Sequence, residues 1–200
     1  MNKSATTAHP VHDLIAQRWS PYRFAATEVG VEDLASVFEA ARWAPSSYNE
    51  QPWSYIVAAR NHDRAEFDRV LSCLVEPNQA WAQHAPVLAL GVANLEFARN
   101  GKANAAALHD LGSASANLSF EATARGLVVH QMIGILPERA AEIFSIPETA
   151  QVLTGLAIGF AAGDDGSGSE FLERDQGVRS RKPLSEILFS GKWGQAADLF

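Results

Sequence analysis

Leu34, Val37, Phe38 and Ala41 recur at i, i+3, i+4 and i+7. That is one face of a 3.6-residue period, and it predicts a helix over 31–43 that Pro45 stops. Phe67, Val70, Leu71 and Leu74 place another over 62–75, and shorter helices are predicted over 10–17, 78–84 and 137–144. Pro10 suits a first helical turn. Between these lie short apolar runs at 54–59, 86–93, 127–129 and 152–160, which read as buried strands. Residues 103–125 predict one long helix in which Ala105, Ala106, Ala107, Gly112, Ala114, Ala116 and Ala122 mix with Leu108, Leu111, Leu118 and Phe120. Small side chains let a second backbone come close, so this helix belongs deep in the domain or in a dimer interface. Gly126 is placed as its C-terminal cap. Helices around a few short strands predict a layered α/β or α+β domain.

The remaining segments are irregular. Residues 1–9 read as a flexible tail, and 18–24 (Arg-Trp-Ser-Pro-Tyr-Arg-Phe) as a loop broken by proline. Residues 163–169 are polar and flexible, with Asp164-Asp165 as a solvated turn. Residues 170–200, helix-like at 184–189, hold too few apolar residues to fold alone and predict an arm over their own domain or a partner. The whole chain, 1–200, reads as one domain without internal repeats.

Composition narrows the function. At 47% apolar residues, the 200-residue chain can build a core; its net charge of −7, without a basic run, argues against nucleic acid. The lone Cys73 excludes an internal disulfide and a multi-cysteine zinc site, and its place on the apolar side of the 62–75 helix makes it a core residue. The longest apolar run, 85–93, falls short of the roughly 20 residues a membrane span needs. With no apolar block in the first ten residues, a cytoplasmic protein that does not enter membranes is expected. Only His9 and His12 have ligand-like spacing, and they sit in the tail, so no metal site is expected. The chain lacks G-x-G-x-x-G, G-x-x-x-x-G-K-[ST] and G-x-S-x-G, the signatures of dinucleotide, nucleoside triphosphate and serine-hydrolase chemistry.

Three segments carry candidate chemistry. Pro45-Ser46-Ser47-Tyr48-Asn49-Glu50-Gln51-Pro52-Trp53 packs hydroxyls and carboxamides between prolines. A rigid loop of that kind suits a planar heterocycle with several hydrogen-bonding edges, and by chemistry alone it reads equally well as a turn with helix caps. Arg18, Ser20 and Arg23 near one end, and Arg179, Arg181 and Lys182 near the other, offer guanidinium forks to an anion such as phosphate, or surface ion pairs. Gln131-Met132-Ile133-Gly134 follows a strand, and a glycine there would let a backbone approach a ligand.

Together these segments resemble the FMN-dependent nitroreductase family. The markers are Arg18-x-Ser20, Ala-Arg-Trp-Ala-Pro-Ser-Ser-x-Asn-x-Gln-Pro-Trp at 41–53, Trp81 before Ala85-Pro86-Val87, Arg125-Gly126-Leu127 after the small-residue helix, and Arg181-Lys182-Pro183-Leu184. They occur in the family's order over nearly the whole chain. The resemblance implies an α+β fold with a mostly antiparallel central sheet flanked by helices. It implies an intertwined homodimer with two FMN sites at the interface and C-terminal arms, from about residue 163, that embrace the partner. Carried over, Arg18 and Ser20 hold the phosphate and ribityl chain, with Trp19 and Tyr22 in the same cofactor-binding segment, and Arg179 and Arg181 close on the phosphate. Pro45, Ser46 and Ser47 reach the flavin from the other subunit, Asn49 and Gln51 lie near the ring, and Gln131, Met132, Ile133 and Gly134 line its far side. Two positions depart from the family pattern: Tyr22 stands where a basic residue is common, with Arg23 one place later, and Gln131-Met132 where many small relatives have Trp-Arg.

The implied activity is an FMN oxidoreductase that takes electrons from NADH or NADPH, transient visitors to the site, and passes them by ping-pong kinetics to a small-molecule acceptor such as a nitroaromatic or a quinone. The flavin carries the chemistry, so no catalytic side chain is assigned. The lid that shapes acceptor choice falls within 60–110. The alternatives are a specialised flavin enzyme on the same scaffold (dehydrogenase, dehalogenase or flavin-processing) and a non-catalytic flavin-binding protein.

Overall fold

Val87 and Ala89 pack on one layer of helices, while Leu88 and Leu90 pack on the other. The strand that carries them is therefore buried on both faces, and the domain has three layers, helix–sheet–helix. The structure, a computed structural model, describes residues 3–163 and 169–199. Its elements run α1 (Asp13–Gln17), α2 (Val31–Arg42), β1 (Trp53–Ala59), α3 (Arg64–Leu71), α4 (Glu76–Ala82), β2 (Val87–Asn94), α5 (Ala107–Ala124), β3 (Val128–Met132), α6 (Pro137–Phe144), β4 (Ala150–Gly159) and α7 (Glu170–Gln176), with 3₁₀ turns at Ser47–Asn49 and Leu184–Glu186. The strand order is β1-β2-β4-β3, and every neighbouring pair is antiparallel. This is the α+β architecture, not a parallel α/β sheet.

Val37 and Ala41 of α2 and Ala114, Leu118 and Ala122 of α5 cover one face of the sheet, against Leu156 and Ile158 of β4. Phe67 and Val70 of α3, Leu74, Trp81 of α4 and Ala140 of α6 cover the other, against Leu88, Leu90 and Ala157. Cys73 is buried in this second layer. The small residues of α5 that let it approach the sheet are those on its inner face; a Cβ on Gly112 would meet nothing within 4 Å, so that position faces outward.

Element ends move for local reasons. The 62–75 helix begins at Arg64 because the Asp63 carboxylate accepts from the Glu66 amide at 3.0 Å. The long helix begins only at Ala107, since the Asn104 carboxamide accepts from the Ala106 amide at 3.1 Å and holds 104–106 as a turn. Strand β3 continues past Val129 to Met132 because Gln131 and Met132 pair with Leu156 and Gly155 of β4. Its polar His130 and Gln131 hid that extension from an apolar-run reading. The helix-like stretch at 184–189 is a single 3₁₀ turn, Leu184–Glu186.

The chain ends behave unequally. Leu172 and Asp175 of α7 are buried against their own domain, whereas Val178 (97% exposed) and Trp193 (93%) lie on the outside of the chain. The tail expected at 1–9 is tethered from Lys3 onward: the Ala5 amide donates to the Ala16 carbonyl at 2.9 Å, and Lys3 Nζ to that of Gly177 at 2.5 Å. The Asp164-Asp165 turn lies outside the described residues. No helix among the described residues is long and apolar enough to cross a membrane, and none of their His, Cys, Asp and Glu residues group as a metal site.

Gly126 closes α5 as anticipated. Its φ is +73°, its amide donates to the Thr123 carbonyl at 3.1 Å, and the Leu127 amide donates to that of Ala122 at 2.8 Å. These two bonds form a Schellman motif, whose left-handed residue has no Cβ to clash. Gly126→Ala is expected to cost about 1–2 kcal/mol of unfolding free energy, read from urea denaturation midpoints at unchanged slope.

Candidate active site

Arg18 follows the last residue of α1, and Arg179 and Arg181 follow α7; the fold brings all three to one cavity of about 510 Å³. Lys182, Phe120 of α5 and residues 5–9 of the tethered N-terminal segment complete its lining, and no Asp or Glu lines it. Among the described residues the three arginines make no ion pair; Lys182 lies 3.9 Å from Glu186 on the exposed surface. Burial pushes the Arg18 guanidinium below its usual range, and the charges of Arg179 and Arg181 push it the same way. Burial and Arg181 do the same to Arg179. Among the described residues no carboxylate meets these three guanidinium groups, so the surface ion pairs that the sequence left open for them are not formed here, and the cluster is a candidate to meet an anion. Ser20 belongs to it through its Oγ, which accepts from Arg18 Nη1 at 3.3 Å.

The loop that bears Arg18 and Ser20 is clamped from behind. Asp175 of α7 is buried and accepts from the amides of Tyr22 at 2.8 Å and Arg23 at 3.1 Å. Burial pushes the Asp175 carboxyl up, outweighing those amides. His130 of β3 lies 2.8 Å from the Pro21 carbonyl through Nδ1, and because a carbonyl only accepts, that nitrogen carries the hydrogen. Burial pushes the His130 pKa down and favours the neutral ring. The Tyr22 ring packs against His130 at 4.8 Å, Trp81 at 5.3 Å and Phe171 at 6.1 Å, with Arg174 over it at 5.1 Å. Tyr22 is thus set among core aromatics, and Trp19 is half-buried against the same core with Lys3 Nζ 5.8 Å from its ring.

The 45–51 loop lies elsewhere. Pro45 is exposed and leads into it. Ser46 Oγ donates to Asp110 of α5 at 2.9 Å and accepts from the Gln51 amide at 2.8 Å, while the Ser47 amide donates to the same Asp110 oxygen at 2.9 Å. Tyr48, Asn49 and Gln51 all have φ between 53° and 56°. Left-handed backbone at non-glycine residues is strained and persists only where surroundings hold it, and such strain clusters at functional sites. The loop also leans on the excursion between β2 and α5: Glu50 accepts from the Ala98 amide at 2.6 Å, and Arg99 lies over Tyr48 at 4.5 Å and Phe97 at 4.9 Å. The Ser47 hydroxyl and the Asn49 carboxamide side chain are left without partners among the described residues, available to a ligand.

Gln131, Met132 and Ile133 line a second, smaller cavity of about 320 Å³ with Leu111, Ser115 and Thr154. Gln131 Nε2 donates to the Ser115 carbonyl at 3.0 Å and to Ser119 Oγ at 2.9 Å, so its side chain lies on α5. Ile133 is exposed, whereas Met132 is buried. Gly134 accommodates protein: a Cβ there would sit 2.4 Å from Asn78 Nδ2, which donates to the Gly134 carbonyl at 2.9 Å.

The structure therefore gathers Arg18, Ser20, Arg179 and Arg181, and leaves the 45–51 loop apart from them. Asp110 begins α5 and Phe120 lies toward its end, separated by about 15 Å of helix axis. Two residues that matter escaped the sequence reading, Asp110 and Asp175. Each is an acid on the buried face of its helix: Asp110 precedes Ala114 and Leu118 at i+4 and i+8, and Asp175 follows Leu172 at i+3. An acid in phase with an apolar stripe is the signal that could have found them.

A four-stranded antiparallel sheet between helices defines an α+β domain, with a strained loop and an arginine-lined pocket free of carboxylates at its rims. The family model of the Nitroreductase family matches residues 15–160, and the chain belongs to that family, with the general role of a flavin oxidoreductase. An oxidoreductase containing FMN has a similar structure, with a TM-score of 0.86 at 32% identity over 94% of this chain and 96% of that one. A nitroreductase family protein of Clostridium difficile 630 shares the fold, with a TM-score of 0.69 at 22% identity over 90% and 96% of the two chains. An uncharacterized 15.4 kDa protein in the ask 5′ region of Mycolicibacterium smegmatis is 38% identical over 86 residues, 42% of this chain and 57% of that one.

Asp110 is the point where the loop can be tested. Burial pushes its carboxyl up, but the Ser47 amide, the Ser46 hydroxyl and His109 together hold it below the usual range. A depressed folded-state value contributes stability that is full above about pH 4 and is lost as pH falls through the folded value. Asp110→Asn is expected to cost about 2 kcal/mol at neutral pH, and its deficit relative to the parent is expected to shrink as pH is lowered below 4, measured by urea denaturation across pH.

Proposed function

We propose that the protein is an FMN-dependent oxidoreductase in which NADH or NADPH and then a small acceptor, a nitroaromatic, a quinone or a compound like them, use one site in turn. The observation that carries this reading is the carboxylate-free pocket around Arg18, Arg179 and Arg181, in a chain whose net charge is −7. Its donor set fits a phosphate monoester: guanidinium groups and a hydroxyl, with no acceptor carboxylate to repel the anion. Bound FMN would supply the two-electron chemistry, which explains why no nucleophile, triad or metal cluster is needed from the protein.

The chain's own residues bind and orient. Arg18, Ser20 and Arg181 hold the phosphate end. The Ser47 hydroxyl, the Asn49 side chain and the strained backbone of 48–51 offer donors and acceptors to a planar ring, and Gln131 to Ile133 border it. The 45–51 loop is anchored at Asp110, about 15 Å along α5 from Phe120 of the arginine pocket; in this reading, which follows the family resemblance, each loop serves the site of a partner subunit and the active form is a homodimer. The exposed stretch beyond α7, including Val178 and Trp193, is the arm that wraps the partner. The alternative reading, a flavin-binding protein without turnover, has no observation of its own in its favour.

The first test is the anaerobic visible spectrum of the protein with FMN, before and after NADH or NADPH. A bound-flavin spectrum that bleaches is the expected result; absence of flavin binding overturns the reading, and bound flavin that neither nucleotide bleaches overturns the donor. The shared site is tested by mixing lesions. Asp110→Ala and the double variant Arg18→Ala/Arg181→Ala are each expected to lose activity about tenfold or more as homodimers. Co-expressed with two tags, the mixed dimer carries one intact loop facing one intact arginine pocket and regains activity. No recovery in the purified mixed dimer would show that loop and pocket of one chain form the site.

A further inference from the structure

The three arginines do not make the same contacts. Arg179 is half-buried, and its guanidinium is committed to backbone carbonyls: Nη1 donates to Lys3 and to Ala16, the latter at 2.7 Å, and Nη2 donates to Arg18 at 2.8 Å. Both hydrogens of Nη1 and one of Nη2 are thereby used. Arg181 is exposed and makes one local bond, from Nη1 to the Ser180 carbonyl at 2.7 Å. Arg18 directs Nη1 only to Ser20 Oγ.

We propose that Arg179 is a positioning residue and not a ligand of the anion: its planar fork fastens the N-terminal segment, the end of α1 and the backbone of Arg18 together, leaving Arg18 and Arg181 to meet the ligand. This rests on the anion-pocket reading above, and departs from the family resemblance, under which Arg179 and Arg181 share the phosphate. Two of the carbonyls it joins, Ala16 and Arg18, flank the end of α1, and the third, Lys3, comes from the N-terminal segment. A carbonyl partly withdrawn from water needs a donor, and a guanidinium presents several in fixed directions. The segment it fastens matters to the pocket, because Ala5 to His9 form one of its walls. Two further contacts lead the same way: the Ala5 amide on the Ala16 carbonyl at 2.9 Å, and Lys3 Nζ on the Gly177 carbonyl at 2.5 Å. Ala16 O thus accepts from both Arg179 and Ala5, so the staple and the wall share an atom.

Lysine separates the two roles, since it keeps the charge but gathers its donors at one point. Four full-length variants are compared, Arg179→Lys, Arg179→Gln, Arg181→Lys and Arg181→Gln, by FMN titration and by amide hydrogen exchange at Ala5. Arg181→Gln is expected to weaken FMN about tenfold or more while leaving riboflavin, which lacks the phosphate, and Ala5 exchange unchanged; Arg181→Lys is expected to restore most of the FMN affinity. Arg179→Lys and Arg179→Gln are expected to behave alike, both accelerating exchange at Ala5 and both weakening FMN to a similar degree. The proposal is overturned if Arg179→Lys binds FMN as the parent does while Arg179→Gln does not, for then the charge at 179 is what the ligand needs. It is also overturned if neither change at 179 alters Ala5 exchange. A parent protein that binds no FMN at all would sink the proposed function alone, and Ala5 exchange would still decide the staple.

Discussion

A buried carboxylate accepting backbone N–H groups is the interaction on which both loops of the candidate site depend. Asp175 reaches from α7 to the amides of Tyr22 and Arg23, behind Arg18 and Ser20. Asp110 reaches from α5 to the amide of Ser47 and the hydroxyl of Ser46. The first loop touches the sheet only at its end, where Phe24 bridges Ala161 beyond β4, and the second enters β1 after Pro52. A carboxylate offers several lone pairs at one point, so it can gather donors from a turn that has no regular repeat. The two sites differ in balance. At Asp110 the hydrogen bonds outweigh burial and the charged form is favoured; at Asp175 burial outweighs them. Acid therefore loosens the Asp110 clamp in the folded state, whereas Asp175 favours the fold more as it gains its proton.

The sheet explains why such clamps are needed. Strands β2 and β4 are covered on both faces by helices, so most of the sheet's surface is taken up by protein. Chemistry is displaced to the rims: to the loop before β1, the end of β3, and the termini of α1 and α7. Helix α5 spans these rims. Its first turn fixes the serine loop through Asp110, its middle receives Gln131 through Ser115 and Ser119, and Phe120 lines the arginine pocket. One rigid element thus sets the spacing between regions of the candidate site that do not touch.

Much of this was legible in the chain. The period of Leu34, Val37, Phe38 and Ala41 gave α2, the short apolar runs gave the strands, and Gly126 marked the end of α5. Local chemistry also singled out the arginines and the proline-bounded serine loop as candidates, while leaving surface ion pairs and a capped turn open for them. What could not be read was pairing. The antiparallel order β1-β2-β4-β3 follows from tertiary contacts between runs that look alike in sequence, and apolar pattern alone leaves parallel and antiparallel sheets equally open. For the same reason β3 seemed to stop at Val129: His130 and Gln131 break the apolar run, yet the ladder with β4 carries on through them. Gly134 showed the other limit. Its lack of a side chain was visible, but only the fold reveals that Asn78 occupies the space. Asp110 and Asp175 were missed because a charge is ordinarily assigned to solvent, and only its phase with the apolar face of the helix says otherwise.

The arginine pocket is best understood as a cost that the empty chain bears. Arg18 and Arg179 lose hydration as they are buried and repel their neighbours, which is why both are pushed below their usual range. Among the described residues no Asp or Glu lines the pocket, and its adjacent ion pair, Lys182 with Glu186 at 3.9 Å, does not meet the three arginines. Guanidinium groups that cannot give up a proton near neutral pH cannot escape the repulsion by titrating. An anion that bound the folded form and not the unfolded one would relieve that repulsion, and it would stabilise the fold by an amount that rises with the logarithm of its concentration over its Kd. Under the proposed function, folding and phosphate binding are coupled through charge in this way.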